Sequence, residues 1–109
     1  MRHTEREKRW IVELTQARRF AAKEQYVDAA AWARRLSGRI EQAIAEARDP
    51  GERLRLEGFR ALVQTARADI ERAREAWTAR LAERARARRE GAEAEMARPL
   101  PLPPPAPAG

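Results

Sequence analysis

Apolar residues recur three or four apart along most of this chain. The longest run is Leu56, Phe59, Val63, Ala66, Ile70, Ala73, Trp77 and Leu81, separated mostly by Arg, Glu, Asp and Ala. That spacing places one apolar stripe along one side of a long helix. Left wet, such a stripe costs about 25 cal/mol per Å² of apolar surface, so it is expected to be buried against other helices. No period-two alternation occurs, and no strand is expected.

Two shorter stripes precede it. The first is Trp10, Leu14, Ala17 and Ala21, with Ile11 and Phe20 at its edges. Thr4-Glu5-Arg6-Glu7 opens it with the form of a capping box, in which each side chain satisfies a free backbone N–H of the other. Carried onward, this face lands on Glu24 or Gln25 and then Asp28. A new face starts at Tyr26 and continues through Ala29/Ala30, Ala33, Leu36, Ile40, Ala43/Ile44 and Ala47. The phase jump at 23–25 has two readings: a turn between two helices, or a stutter in one long helix. No Gly or Pro marks the spot. Asp49-Pro50-Gly51-Glu52 is clearer punctuation, with Asp49 as N-cap, Pro50 at the first helical position and Glu52 placed to return the cap.

The expected fold is all-α: an antiparallel three-helix bundle with helices at about 4–22, 25–48 and 50–90. The helical domain is 1–97, and a Pro-rich tail, 98–109, is extended because proline fixes φ and lacks an N–H. The alternative is a two-helix antiparallel hairpin that dimerises, coiled-coil fashion, into four helices. Trp10, Trp32 and Trp77 are core candidates, with Trp32 at the edge of its face. Ser37-Gly38 interrupts the second helix at a cost of roughly 0.5–1 kcal/mol relative to Ala. A close approach by another helix, near Trp77 or Phe59, is expected there. Gly91 weakens the end of the third helix.

Composition narrows the function. The chain has 109 residues and a formal charge of +6, from 23 Lys+Arg against 17 Asp+Glu. Lys8 and Lys23 are the only lysines, Asn is absent and Ser37 is the sole serine. A GC-rich genome produces this Arg/Ala/Pro/Gly bias without selection, so the high isoelectric point is weak evidence for nucleic acid. Without cysteine there is no disulfide or thiolate metal site. The charged N-terminus and the lack of a long apolar run argue against a signal peptide or a membrane span. The expected setting is cytoplasmic.

Residues 10–81 resemble an MIT domain, the three-helix module of ESCRT-associated AAA ATPases and related trafficking proteins. They are similar, more loosely, to a tetratricopeptide unit with an added helix. Ala17 sits where that family keeps a small residue. Gln25-Tyr26-Val27-Asp28-Ala29-Ala30 resembles its Asn-Tyr-acidic-acidic-Ala-Leu opening of helix two, and Ile70-Glu71-Arg72-Ala73 its Leu-Asp-Arg-Ala run in helix three. Glu24 stands where the family has Gly, and Ala30 and Ala33 where it has Leu or Tyr. The resemblance implies peptide docking in grooves beside helix three, between helices two and three or one and three.

The residues therefore point to a non-catalytic interaction module, an adaptor or assembly factor that binds a peptide or helix. The sequence does not identify its protein partner, and a homo-oligomer is compatible with it. The expected groove residues are Tyr26, Ala30, Ala33 and Ser37 from helix two, with Leu62 and Ile70 from helix three. Pro99, Leu100, Pro101, Leu102 and Pro103 form a candidate ligand segment, similar to the short Leu-Pro-x-Leu/Val-Pro peptides that MIT domains accept. The second reading is a basic helical nucleic-acid binder, phage- or plasmid-encoded, contacting phosphates through Arg80, Arg84, Arg86, Arg88 and Arg89. Glu83 interrupts that run, Glu90, Glu93 and Glu95 follow it, and no aromatic lies within it to stack on a base. His3 is the only histidine. No phosphate loop, nucleophile set or metal-ligand spacing occurs, so no enzyme activity, catalytic residue, metal or cofactor is expected.

Overall fold

A computed structural model describes residues 3–101 and 104–107. Within them the chain is all-helical, with three helices and no strand: α1 (Glu5–Ala22), α2 (Tyr26–Glu46) and α3 (Pro50–Ala97). The chain divides into two compact units, Met1–Trp77 and Thr78–Gly109.

In the first unit α1 and α3 start where the sequence supplies a cap, whereas Gln25, ahead of α2, makes no side-chain cap hydrogen bond. Thr4 Oγ1 accepts the Glu7 N–H at 3.2 Å, and Asp49 Oδ2 accepts the Glu52 N–H at 3.1 Å. Neither glutamate returns the bond as a capping box would. Glu7 turns to α3, where Arg55 Nη2 donates to both its carboxylate oxygens at 2.6 and 2.7 Å. Glu52 turns to α1 and lies 3.7 Å from Arg6 Nη2. A guanidinium is a stronger donor to a carboxylate than a backbone N–H.

The phase jump at 23–25 is a turn, so α1 and α2 are two helices and not one stuttering rod. The Gln25 N–H donates to Phe20 C=O at 2.9 Å and the Glu24 N–H to Ala21 C=O at 3.0 Å. This is the Schellman pattern of a helix C-terminus. Its left-handed position is held by Glu24, at φ 62°, where glycine is usual.

Two clusters form the interior. Trp10, Leu36, Ile40, Ala43, Ile44, Ala47, Leu56 and Val63 make one, with Leu14 and Phe59 against it. Ala17, Tyr26, Ala29, Ala33 and Ile70 make the other, flanked by Phe20, Ala21, Trp32, Ala73 and Trp77. Both draw on all three helices. Cross-helix pairs fix the register. From α1 to α3, Glu7 meets Arg55 and Arg18 meets Asp69, so numbers rise together. From α2 to α3, Tyr26 packs on Trp77, Ser37 accepts from Arg67 and Glu41 meets Arg60, so numbers run oppositely. From α1 to α2, Glu13 pairs with Arg39 and Phe20 stacks on Trp32.

Three expectations change. Leu81, last in the long stripe, is 39% exposed and joins neither cluster. A Cβ at Gly38 would meet nothing within 4 Å, so no helix approaches it closely. Helix α3 passes through Gly91 to Ala97 instead of ending near Glu90, because the flanking Ala, Glu and Met are strong helix formers that outweigh one glycine.

The second unit continues α3 from Thr78 to Ala97 with every described side chain exposed. Glu83 pairs with Arg86, and Glu95 lies 3.8 Å from Arg98. Pro99, Leu100 and Pro101 follow outside any helix and exposed. Leu102 and Pro103, also in the candidate ligand segment, lie outside the described residues.

Candidate functional site

The helical repeat sorts the residues flanking the α3 stripe into two files. Arg55, Leu62 and Asp69, seven apart, lie toward α1: Arg55 and Asp69 reach Glu7 and Arg18, and Leu62 borders a depression with Ile11 and Leu14. Arg60, Arg67 and Arg74 lie toward α2: Arg60 and Arg67 reach Glu41 and Ser37, and Arg74 borders a groove with Ala30.

This separates the expected groove residues. Ala30 and Ile70 line one groove between α2 and α3, with Arg34, Gln64, Arg67, Ala68, Glu71 and Arg74. Ser37 is at its edge, where Arg67 Nη1 approaches Ser37 Oγ at 3.5 Å. Leu62 is not in it. Residues 62 and 64 stand two apart, about 200° around a helix, so they fall on opposite flanks of the stripe. Tyr26 and Ala33 do not line the groove: both are buried, Tyr26 against Trp77 at a ring separation of 5.7 Å and Ala33 fully.

The groove encloses about 450 Å³. Its apolar lining is small: Ala30, Ala68 and the edge of Ile70. Arg34 stands on α2, with Arg67 and Arg74 on α3. Glu71 is the one acid, 3.7 Å from Arg74. Among the described residues Arg34 and Arg67 make no ion pair. Three guanidiniums against one carboxylate leave the groove with a positive rim.

The second depression, between α1 and α3, is more apolar and smaller, about 170 Å³. Trp10, Ile11, Leu14, Phe59, Leu62 and Val63 contribute to it. Leu62 is 55% exposed there.

Sequence reasoning missed Glu7. It is 4% exposed, receives Arg55, and lies 3.5 Å from His3 Nδ1. Its position three residues before Trp10 on the same stripe was the available signal. Arg80, Arg84, Arg86, Arg88 and Arg89 are all exposed on the second unit's helix. No group of three His, Cys, Asp or Glu among the described residues is placed to hold a metal ion, and no helix is long and apolar enough to cross a membrane. No protein-family model, curated protein or solved structure matches the chain.

Proposed function

We propose that residues 4–77 form an antiparallel three-helix bundle, MIT-like in plan, that works as a non-catalytic protein-interaction module. The α2/α3 groove is its docking site, and the ligand is an acidic amphipathic helix. One observation carries this reading: the groove pairs a lining of small apolar side chains with three guanidiniums on its two walls. Alanines allow a helix to approach closely, and arginines on both sides favour glutamates flanking the ligand's apolar ridge. The resemblance to MIT domains implies docking beside helix three, and this groove is one of the two places it allows. Residues 80–89 are basic, five arginines to one glutamate, but with no aromatic among them they offer a base nothing to stack on, which gives nucleic acid less support.

The test uses the full chain and a fluorescein-labelled, alanine-rich helical peptide bearing one leucine between glutamates. Anisotropy is expected to show saturable binding that Ala68→Trp abolishes by filling the groove. Leu62→Asp, on the opposite flank of α3, is expected to leave binding intact. Absence of binding, or equal sensitivity to both substitutions, refutes the site.

A further inference from the structure

The last turns of α3 carry a pattern that the bundle does not use. Residues 90–97 read Glu-Gly-Ala-Glu-Ala-Glu-Met-Ala, with three glutamates and no cation, in a chain that is otherwise strongly basic. The segment is helical, and Met96 is 86% exposed. At 100° per residue, Ala92 and Met96 share one face, while Glu93 and Glu95 stand about 80° to either side of it. The result is a narrow apolar ridge with a carboxylate along each edge. Glu93 makes no ion pair among the described residues, and Glu95 meets only the exposed Arg98 at 3.8 Å.

The α2/α3 groove is the complement of this ridge. Its lining is Ala30, Ala68 and Ile70, and its cations stand on both walls, Arg34 on one and Arg67 and Arg74 on the other. Arg67 and Arg74 are two helical turns apart, about 10 Å, which spans the Ala92–Met96 ridge. We propose that the groove takes the 90–97 segment of a second copy of this chain. Met96 and Ala92 enter between the walls, and Glu93 and Glu95 meet the arginines. The inference rests on the groove reading above and names its occupant. The charge match selects the occupant: three acids without a base meet three guanidiniums with one acid.

The experiment is sedimentation velocity of the full chain from about 10 µM to about 1 mM, at low and high salt. Wild type is expected to associate with concentration, less so at high salt. The groove variant Arg67→Glu/Arg74→Glu and the ridge variant Glu93→Arg/Glu95→Arg each turn attraction into repulsion. Each is expected to weaken association about tenfold or more, from two exposed contacts reversed. Mixing the two variants restores association, because each supplies the charge the other now needs. All four positions are exposed, and unchanged helicity by circular dichroism shows that the variants fold. Association insensitive to both double substitutions, or no recovery on mixing, overturns the proposal. A chain that stays monomeric yet binds the acidic peptide overturns self-docking and leaves the groove reading standing. A chain that does neither overturns both.

Discussion

Replacing Glu24 tests the turn on which the three-helix reading depends. Glu24 holds φ 62° at the end of α1, and its Oε2 accepts the Trp77 indole N–H at 2.9 Å. The left-handed conformation costs a residue with a Cβ about 1–2 kcal/mol. The hydrogen bond, exposed on the carboxylate side, contributes about 0.5–1 kcal/mol in return. Glu24→Ala keeps the backbone cost and loses the bond, so it should destabilise by about 0.5–1 kcal/mol. Glu24→Gly also loses the bond but sheds the backbone cost, less about 0.4–1 kcal/mol for the entropy of the unfolded chain. Glycine should therefore exceed alanine by about 0.5–1 kcal/mol, the reverse of their order inside a helix. For a domain of this size that is about 3–8 °C in thermal midpoint. Thermal melts followed at 222 nm, with urea titrations on the same variants, measure it. If alanine equals or exceeds glycine at this position, residue 24 is helical, α1 runs into α2, and the cross-helix pairing described above is wrong.

Three further outcomes follow from the packing. Gly38→Ala should stabilise the chain by about 0.5–1 kcal/mol in urea denaturation, since an added Cβ meets nothing within 4 Å; destabilisation would mean that a helix packs there after all. Arg55→Ala should cost about 1–3 kcal/mol, because Glu7 stays buried without its donor; a loss below 0.5 kcal/mol, the range of ordinary surface substitutions, would show that the carboxylate is hydrated. Val63→Ala should cost about 2 kcal/mol and Leu62→Ala less than about 1, although leucine loses more atoms, because Val63 is buried and Leu62 half-exposed. Equal losses would place the α3 stripe one residue out of register.

Much of the fold is legible in the spacing of apolar residues. Every position on the Tyr26-to-Ala47 face except Ala30 is buried, and the long stripe is buried or half-buried through Trp77. Thr4 and Asp49 cap the helices they precede. The turn at 23–25 was half-legible: the phase jump showed it, but its left-handed residue is a glutamate, and nothing local distinguishes that glutamate from any other. The groove was less legible. The repeat places Leu62 and Gln64 on opposite flanks of α3, yet it does not say which flank faces α1 and which α2. That depends on the hand in which the three helices wind, a property of the whole unit and not of one stripe. Glu7 was obscured by its own motif, because Thr-x-x-Glu explains a glutamate there without any need for a distant arginine.

The exchange between Glu7 and Arg55, and between Glu52 and Arg6, has an electrical consequence. Helices α1 and α3 point the same way, so their first turns bring two positive dipole ends together like adjacent poles of two magnets. The acids that stitch one helix to the other are the same groups that neutralise those poles. Cutting both stitches removes two ion pairs and also unmasks the repulsion beneath them. The loss from Glu7→Gln together with Glu52→Gln should therefore exceed the sum of the two taken singly.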